Sequence, residues 1–214
     1  MSDIDERYGV GALFYSPALN KKIAYSILSG QLGKGYSVAL CLEDTIADFA
    51  VGQALEQLEN TFKTLHQAAT THNVTLPKIF VRVRNPEQIS VVYQRISGFD
   101  NVFSGFIFPK YSLANADEYN KEFSKTLSES SKRLYMMPIL ESEDIVDYAT
   151  RSSVLIQIKQ KIDGMKSHIL NVRVGGNDFS NAFGVRRRID ETIYDILPVS
   201  QLLCDILTVF SRDY

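Results

Sequence analysis

Charged residues stand at the C-terminal ends of several apolar, strand-like runs in this chain. Ile79-Phe80-Val81-Arg82-Val83-Arg84 is one, Met136-Met137-Pro138-Ile139-Leu140-Glu141 a second, and Asn171-Val172-Arg173-Val174-Gly175-Gly176-Asn177-Asp178 a third. Where strands alternate with helices, side chains at the C-terminal strand ends supply the catalytic groups. Two carboxylates, Glu141 and Asp178, converging with an arginine suggest a divalent metal site beside an anion clamp. Carboxylate oxygens suit a hard cation, and Mg²⁺ takes one or two carboxylates with water and substrate in the remaining positions. Mg²⁺ or Mn²⁺ is therefore the expected ion. The competing reading is local: Glu141 as a carboxylate at a helix N-terminus and Asp178 as a helix cap after a glycine turn. His66, His72 and His168 lie in or beside helices and form no zinc-type cluster.

Arg82 and Arg84 are two apart on a strand and so share a face, with Val81 and Val83 on the other. Two guanidinium groups inside a core are costly unless an anion meets them. An anionic small-molecule substrate is the simplest explanation; structural ion pairs with Glu43 or Asp44 are the alternative. Arg173 and Asn171 follow the same logic on a later strand. Lys110, after Phe108-Pro109, could meet a substrate carboxylate or the acidic strand end Leu42-Glu43-Asp44; a solvated surface lysine is the alternative. Gly175-Gly176 allows a tight turn and close approach of the backbone to a ligand. The residues do not single out a general base: Glu43, Asp44 and a residue of another subunit are all candidates.

These residues need elements to hold them. Strands are expected at Ala12–Tyr15, Val38–Leu42, Ile79–Arg84, Gly105–Pro109, Tyr135–Leu140 and Ile169–Val174. Helices are expected at about 21–32, 49–71, 114–130 and 199–211, with others opened by Pro86-Glu87 and by Ser142-Glu143-Asp144. In the long helix Ala54, Leu55, Leu58, Phe62 and Leu65 recur at helical spacing. Strands buried on both faces and separated by helices imply a parallel α/β architecture. Six such units fit a (β/α)8-type barrel that stops after its sixth unit, a single domain over residues 1–214. Its uncovered strand edges would favour a homo-oligomer.

The bulk composition bounds the partners. The chain has 214 residues, is 45% hydrophobic and has a formal net charge of −2. That balance gives no reason to expect nucleic acid or an anionic membrane as partner, and no run is apolar enough to span a bilayer. The acidic N-terminus lacks a signal-peptide core. Cys41 and Cys204 have no metal or redox spacing and read as buried apolar residues in a reducing, cytoplasmic setting.

Six short motifs, in order, resemble the citrate lyase β-subunit-like (HpcH/HpaI aldolase) superfamily of TIM-barrel carbon–carbon lyases. They are Leu13-Phe14-Tyr15-Ser16-Pro17, Leu42-Glu43-Asp44-Thr45, Val81-Arg82-Val83, Phe108-Pro109-Lys110, Pro138-Ile139-Leu140-Glu141-Ser142 and Gly175-Gly176-Asn177-Asp178-Phe179. Arg84 stands where the family more often has asparagine, and Cys41 where it often has aspartate. The tail from Phe183 to Ile196 is similar to a bacterial branch found beside tellurium-resistance genes. The resemblance implies that Glu141 and Asp178 hold Mg²⁺ and that Arg82 grips substrate oxygens. It also implies that a keto acid, hydroxy acid or acyl thioester, such as a coenzyme A thioester, is cleaved through a Mg-stabilised enolate. A non-catalytic anion-binding or assembly protein, or a phosphoenolpyruvate-type barrel enzyme, is the alternative. The family's last two strands have no counterpart in these residues.

Overall fold

The computed structural model describes residues 3–72 and 74–214. Among them, the elements are α1 (Asp3–Tyr8), β1 (Ala12–Pro17), α2 (Ile23–Leu28), β2 (Tyr36–Cys41), α3 (Val51–His72), β3 (Ile79–Arg82) and α4 (Glu87–Ile96). There follow β4 (Phe103–Phe108), α5 (Ala116–Glu129), β5 (Tyr135–Leu140), α6 (Arg151–Asp163), β6 (Arg173–Val174), α7 (Gly176–Ala182) and α8 (Leu197–Phe210). The strands form one sheet in the order β1-β2-β3-β4-β5-β6. Pairing is parallel in β1/β2, β2/β3, β3/β4 and β5/β6. This is the α/β architecture expected. The chain divides into two compact units, Met1–Ile107 with Glu122–Met136, and Phe108–Lys121 with Met137–Tyr214.

In the first unit, β3 is buried throughout and β2 at every position but its first. Such strands have no polar face, which explains their unbroken apolar sequence. The expected stripe of α3, Ala54, Leu55, Leu58, Phe62 and Leu65, is buried. Phe62 meets Phe103 edge-on, and Phe103 meets Phe106 in the same way at 4.9 Å. At the end of the strand order, β1 leaves Phe14 and Tyr15 exposed. The helix expected to reach residue 32 stops at Leu28, because Gly30, Gly33 and Gly35 all take left-handed backbone, which ends helices.

In the second unit, Phe108 stacks on Tyr119 at 4.6 Å, and Tyr111 lies 6.0 Å from the same ring. Helix α8 buries Val199, Leu202, Leu203, Ile206 and Phe210 and packs on α6. Arg151, only 4% exposed, is an internal latch. It donates to the carbonyls of Ile145 and Val146 at 2.9 and 3.0 Å and pairs with Asp205 at 2.9 Å. Nothing in the sequence pattern marked this role, because two of these partners are main-chain oxygens and the third, Asp205, lies 54 positions away.

Four expectations need correction. The run from Ile169 to Val174 is strand only at Arg173–Val174; Ile169 and Leu170 are buried but follow a 3-10 turn, Lys166–His168. A short apolar run records burial, not strand geometry. Ser142-Glu143-Asp144 opens only a 3-10 turn, Glu143–Ile145, and the Ser142 hydroxyl bonds Asp144 instead of a backbone N–H, so α6 begins later. Cys41 is buried, whereas Cys204 is exposed because it lies off the apolar stripe of α8. Finally, β3 ends at Arg82, so strand alternation does not carry Arg84 onto the same face.

Candidate functional site

In the second unit, the carboxylates of interest lie on one cavity of about 540 Å³. Strand β5 ends at Leu140 and delivers Glu141, 7% exposed, to the cavity wall. Asp178 comes from the first turn of α7, whose next residue, Phe179, is fully buried and fixes the helix. Lys110, Ser112, Asn115, Ser142, Glu143 and Asn181 also line it. The peptide N–H of Lys110 donates to Glu141 Oε1 at 2.9 Å.

Gly175 sits against the same carboxylate. A Cβ on Gly175 would lie 2.2 Å from Glu141 Oε2 and 2.5 Å from its Cβ. The backbone φ at Gly175 is −97°, a value open to any residue. The glycine is thus required for space beside Glu141, not for the tight turn that sequence reasoning assigned to it. At Gly176 the atoms nearest an added Cβ belong to the Ile193 side chain.

The donor set suits a divalent cation. Both carboxylates reach one cavity, their ligand atoms are hard oxygens, and a glycine cradle preserves the position of Glu141. No group of three or more His, Cys, Asp or Glu ligands occurs among the described residues. Two carboxylates with water and substrate oxygens are how Mg²⁺ is commonly held. Arg173 lies on β6 opposite Ile139 and is not part of this lining. Asn171 lines a separate, largely apolar cavity.

In the first unit, Arg82 is 9% exposed and ion-paired. Its Nη2 lies 2.5 Å from Glu43 Oε2 and 3.1 Å from Asp44 Oδ2, and its guanidinium is 5.9 Å from the Tyr15 ring. The structure therefore contains the ion pairs that stood as the alternative to an anion clamp. Burial pushes the Glu43 carboxyl above its ordinary value, against the lowering effect of Arg82. Arg84 is engaged elsewhere. It donates to the carbonyls of Leu42 and Ile46 at 3.2 and 2.7 Å and pairs with Asp48. It thus staples the loop that carries Glu43 and Asp44.

The sequence reading missed Asn115, Ser112 and Asn181. For Asn115 a signal existed: asparagine directly before a helix is a common boundary residue, and placing the helix start at residue 114 absorbed it.

A family model described as carbon–carbon bond lyase of the TIM-barrel fold matches residues 5–214. No curated protein matches by sequence. Among solved structures, protein CitE from Mycobacterium tuberculosis, in complex with magnesium and acetate, is similar with a TM-score of 0.57 and 14% identity, over 97% of this chain and 71% of that one. RipC from Yersinia pestis gives a TM-score of 0.57 at 11% identity, over 97% and 74%. A citrate lyase from Burkholderia xenovorans LB400 gives 0.66 at 14% identity, over 95% of this chain and 61% of that one. At these identities the likeness is one of fold.

Proposed function

Because the chain belongs to the family of carbon–carbon bond lyases of the TIM-barrel fold, we propose that it is a metal-dependent lyase or aldolase acting on a small keto acid, hydroxy acid or acyl thioester. The observation that carries this reading is the pair of carboxylates, Glu141 and Asp178, on one cavity. Magnesium and acetate in a structural neighbour agree with a cation and carboxylate chemistry. When bound, Mg²⁺ or Mn²⁺ would polarise a substrate carbonyl and favour negative charge on its oxygen.

The chain's own groups have separable tasks. Lys110 N–H holds Glu141 in one orientation, and buried Phe179 holds Asp178 in place. Arg82 offers a planar fork of donors suited to a carboxylate, in charge-assisted bonds that are stronger where water is excluded. Glu43, with its proton affinity raised by burial, is the better candidate for the general base, since proton transfer is most effective when the pKa approaches the working pH. Asp44 is 54% exposed and shares the Arg82 guanidinium.

Titration calorimetry with Mn²⁺ tests the central assignment. Glu141→Gln and Asp178→Asn are each expected to weaken binding more than tenfold with the fold kept. Wild-type affinity in both variants would sink it. A second titration separates the arginines, with pyruvate as the probe. Arg82→Lys should weaken pyruvate binding roughly tenfold while the melt stays cooperative, because lysine lacks the fork. Arg84→Lys should leave pyruvate affinity alone and lower the melting temperature by a few degrees, since it loses bonds to two carbonyls. Equal effects of the two changes on pyruvate binding would show the roles to be wrongly divided.

A further inference from the structure

We propose that Asn115 is a positioning residue for Glu141, acting through a left-handed backbone at Lys110; this rests on the metal reading above. Lys110 is the one non-glycine residue with positive φ, 50°, among the described residues. That conformation is disfavoured for a side chain with a Cβ and persists only where the surroundings over-determine it. Here it has a specific consequence: the Lys110 N–H is directed onto Glu141 Oε1, 2.9 Å away.

Asn115 supplies the constraint. Its Nδ2 donates to the Lys110 carbonyl at 2.9 Å, and its Oδ1 accepts from the Ser112 N–H at 2.9 Å. One side chain thereby closes both ends of the turn, from a position on the same cavity as Glu141 and Asp178. Glu141 is then confined on two sides, by the Lys110 N–H and by the Gly175 backbone. Groups that orient a metal ligand without touching the metal typically change affinity by about 10–100-fold.

The test uses the whole chain and Mn²⁺ alone, with binding read by calorimetry and folding by a thermal melt. Asn115→Ala should weaken Mn²⁺ binding roughly tenfold while the melt stays cooperative. Glycine adopts the left-handed region freely, so Lys110→Gly should remove the dependence. In that background, Asn115→Ala should change Mn²⁺ affinity by less than about threefold, a non-additivity that marks coupled residues. A merely structural role, or direct contact of Asn115 with the ion, predicts the same loss in both backgrounds, and that result overturns the proposal. So does wild-type affinity in Asn115→Ala when Glu141→Gln has lost binding; that outcome leaves the metal reading standing. Absence of Mn²⁺ binding by the wild type overturns the metal reading and this inference together. If Asn115→Ala alone fails to melt cooperatively, the double variant decides: retained binding supports the coupling and lost binding refutes it.

Discussion

Gly175→Ala is expected to weaken Mn²⁺ binding by about 10–100-fold, the range seen when support for a metal ligand is lost, with the chain still folded. The added methyl group would fall 2.2 Å from Glu141 Oε2 and 2.5 Å from Glu141 Cβ. The carboxylate end can swing aside, but the Cβ is tied to the main chain, so relief of that contact must shift the Glu141 backbone and with it the carboxylate that Lys110 holds. Backbone strain is not the cause, because φ at Gly175 is −97°. Gly176→Ala is the matched control. Its methyl group would press on Ile193 Cδ1 at 2.7 Å, the mobile end of an apolar side chain, and Mn²⁺ affinity should hold. Calorimetry on the two variants distinguishes them; equal affinities would mean that the packing of Gly175 on Glu141 has no bearing on the ion.

Gly105→Ala is expected to have the largest effect on stability, about 3–5 kcal/mol, from overpacking combined with backbone strain. Gly105 has φ +147°, and a Cβ there would lie 1.9 Å from the Tyr135 carbonyl oxygen. Neither obstacle can relax cheaply, since the contact is main chain against main chain between β4 and β5. The melting temperature should fall by roughly 10 °C. Gly52→Ala in α3 provides the opposite sign. Nothing lies within 4 Å of its Cβ position, and alanine in a helix is favoured over glycine by up to about 1 kcal/mol. A thermal melt of the two variants reads both; a drop of less than about 2 °C in Gly105→Ala would refute the close-approach argument.

Much of this protein was legible because burial leaves a periodic trace. The expected span of β5, Tyr135–Leu140, is the span observed. The α3 stripe was readable for the same reason: residues facing a core must be apolar at the spacing of the element that presents them. Glu141, set at the end of such a run, could be placed at a strand end from the sequence. The outward position of Cys204 was also implicit, since it falls outside the stripe formed by Leu202, Leu203 and Ile206.

Only the tertiary structure decided how those strand ends are used. Lys110 and Glu141 are 31 positions apart, Arg84 and Leu42 are 42 apart, and the meeting of Gly175 with Glu141 depends on β5 pairing with β6. Hydrogen bonds to main-chain carbonyls and contacts with a glycine backbone impose no periodicity, and any residue type can supply the main-chain partner. That is why Arg84 read as a ligand group before it was seen stapling a loop, and why Asn115 passed as an ordinary helical residue. Local pattern specified which segments would be buried and in what form. The division of labour among the charged residues depended on which distant backbone atoms folding brought to each of them.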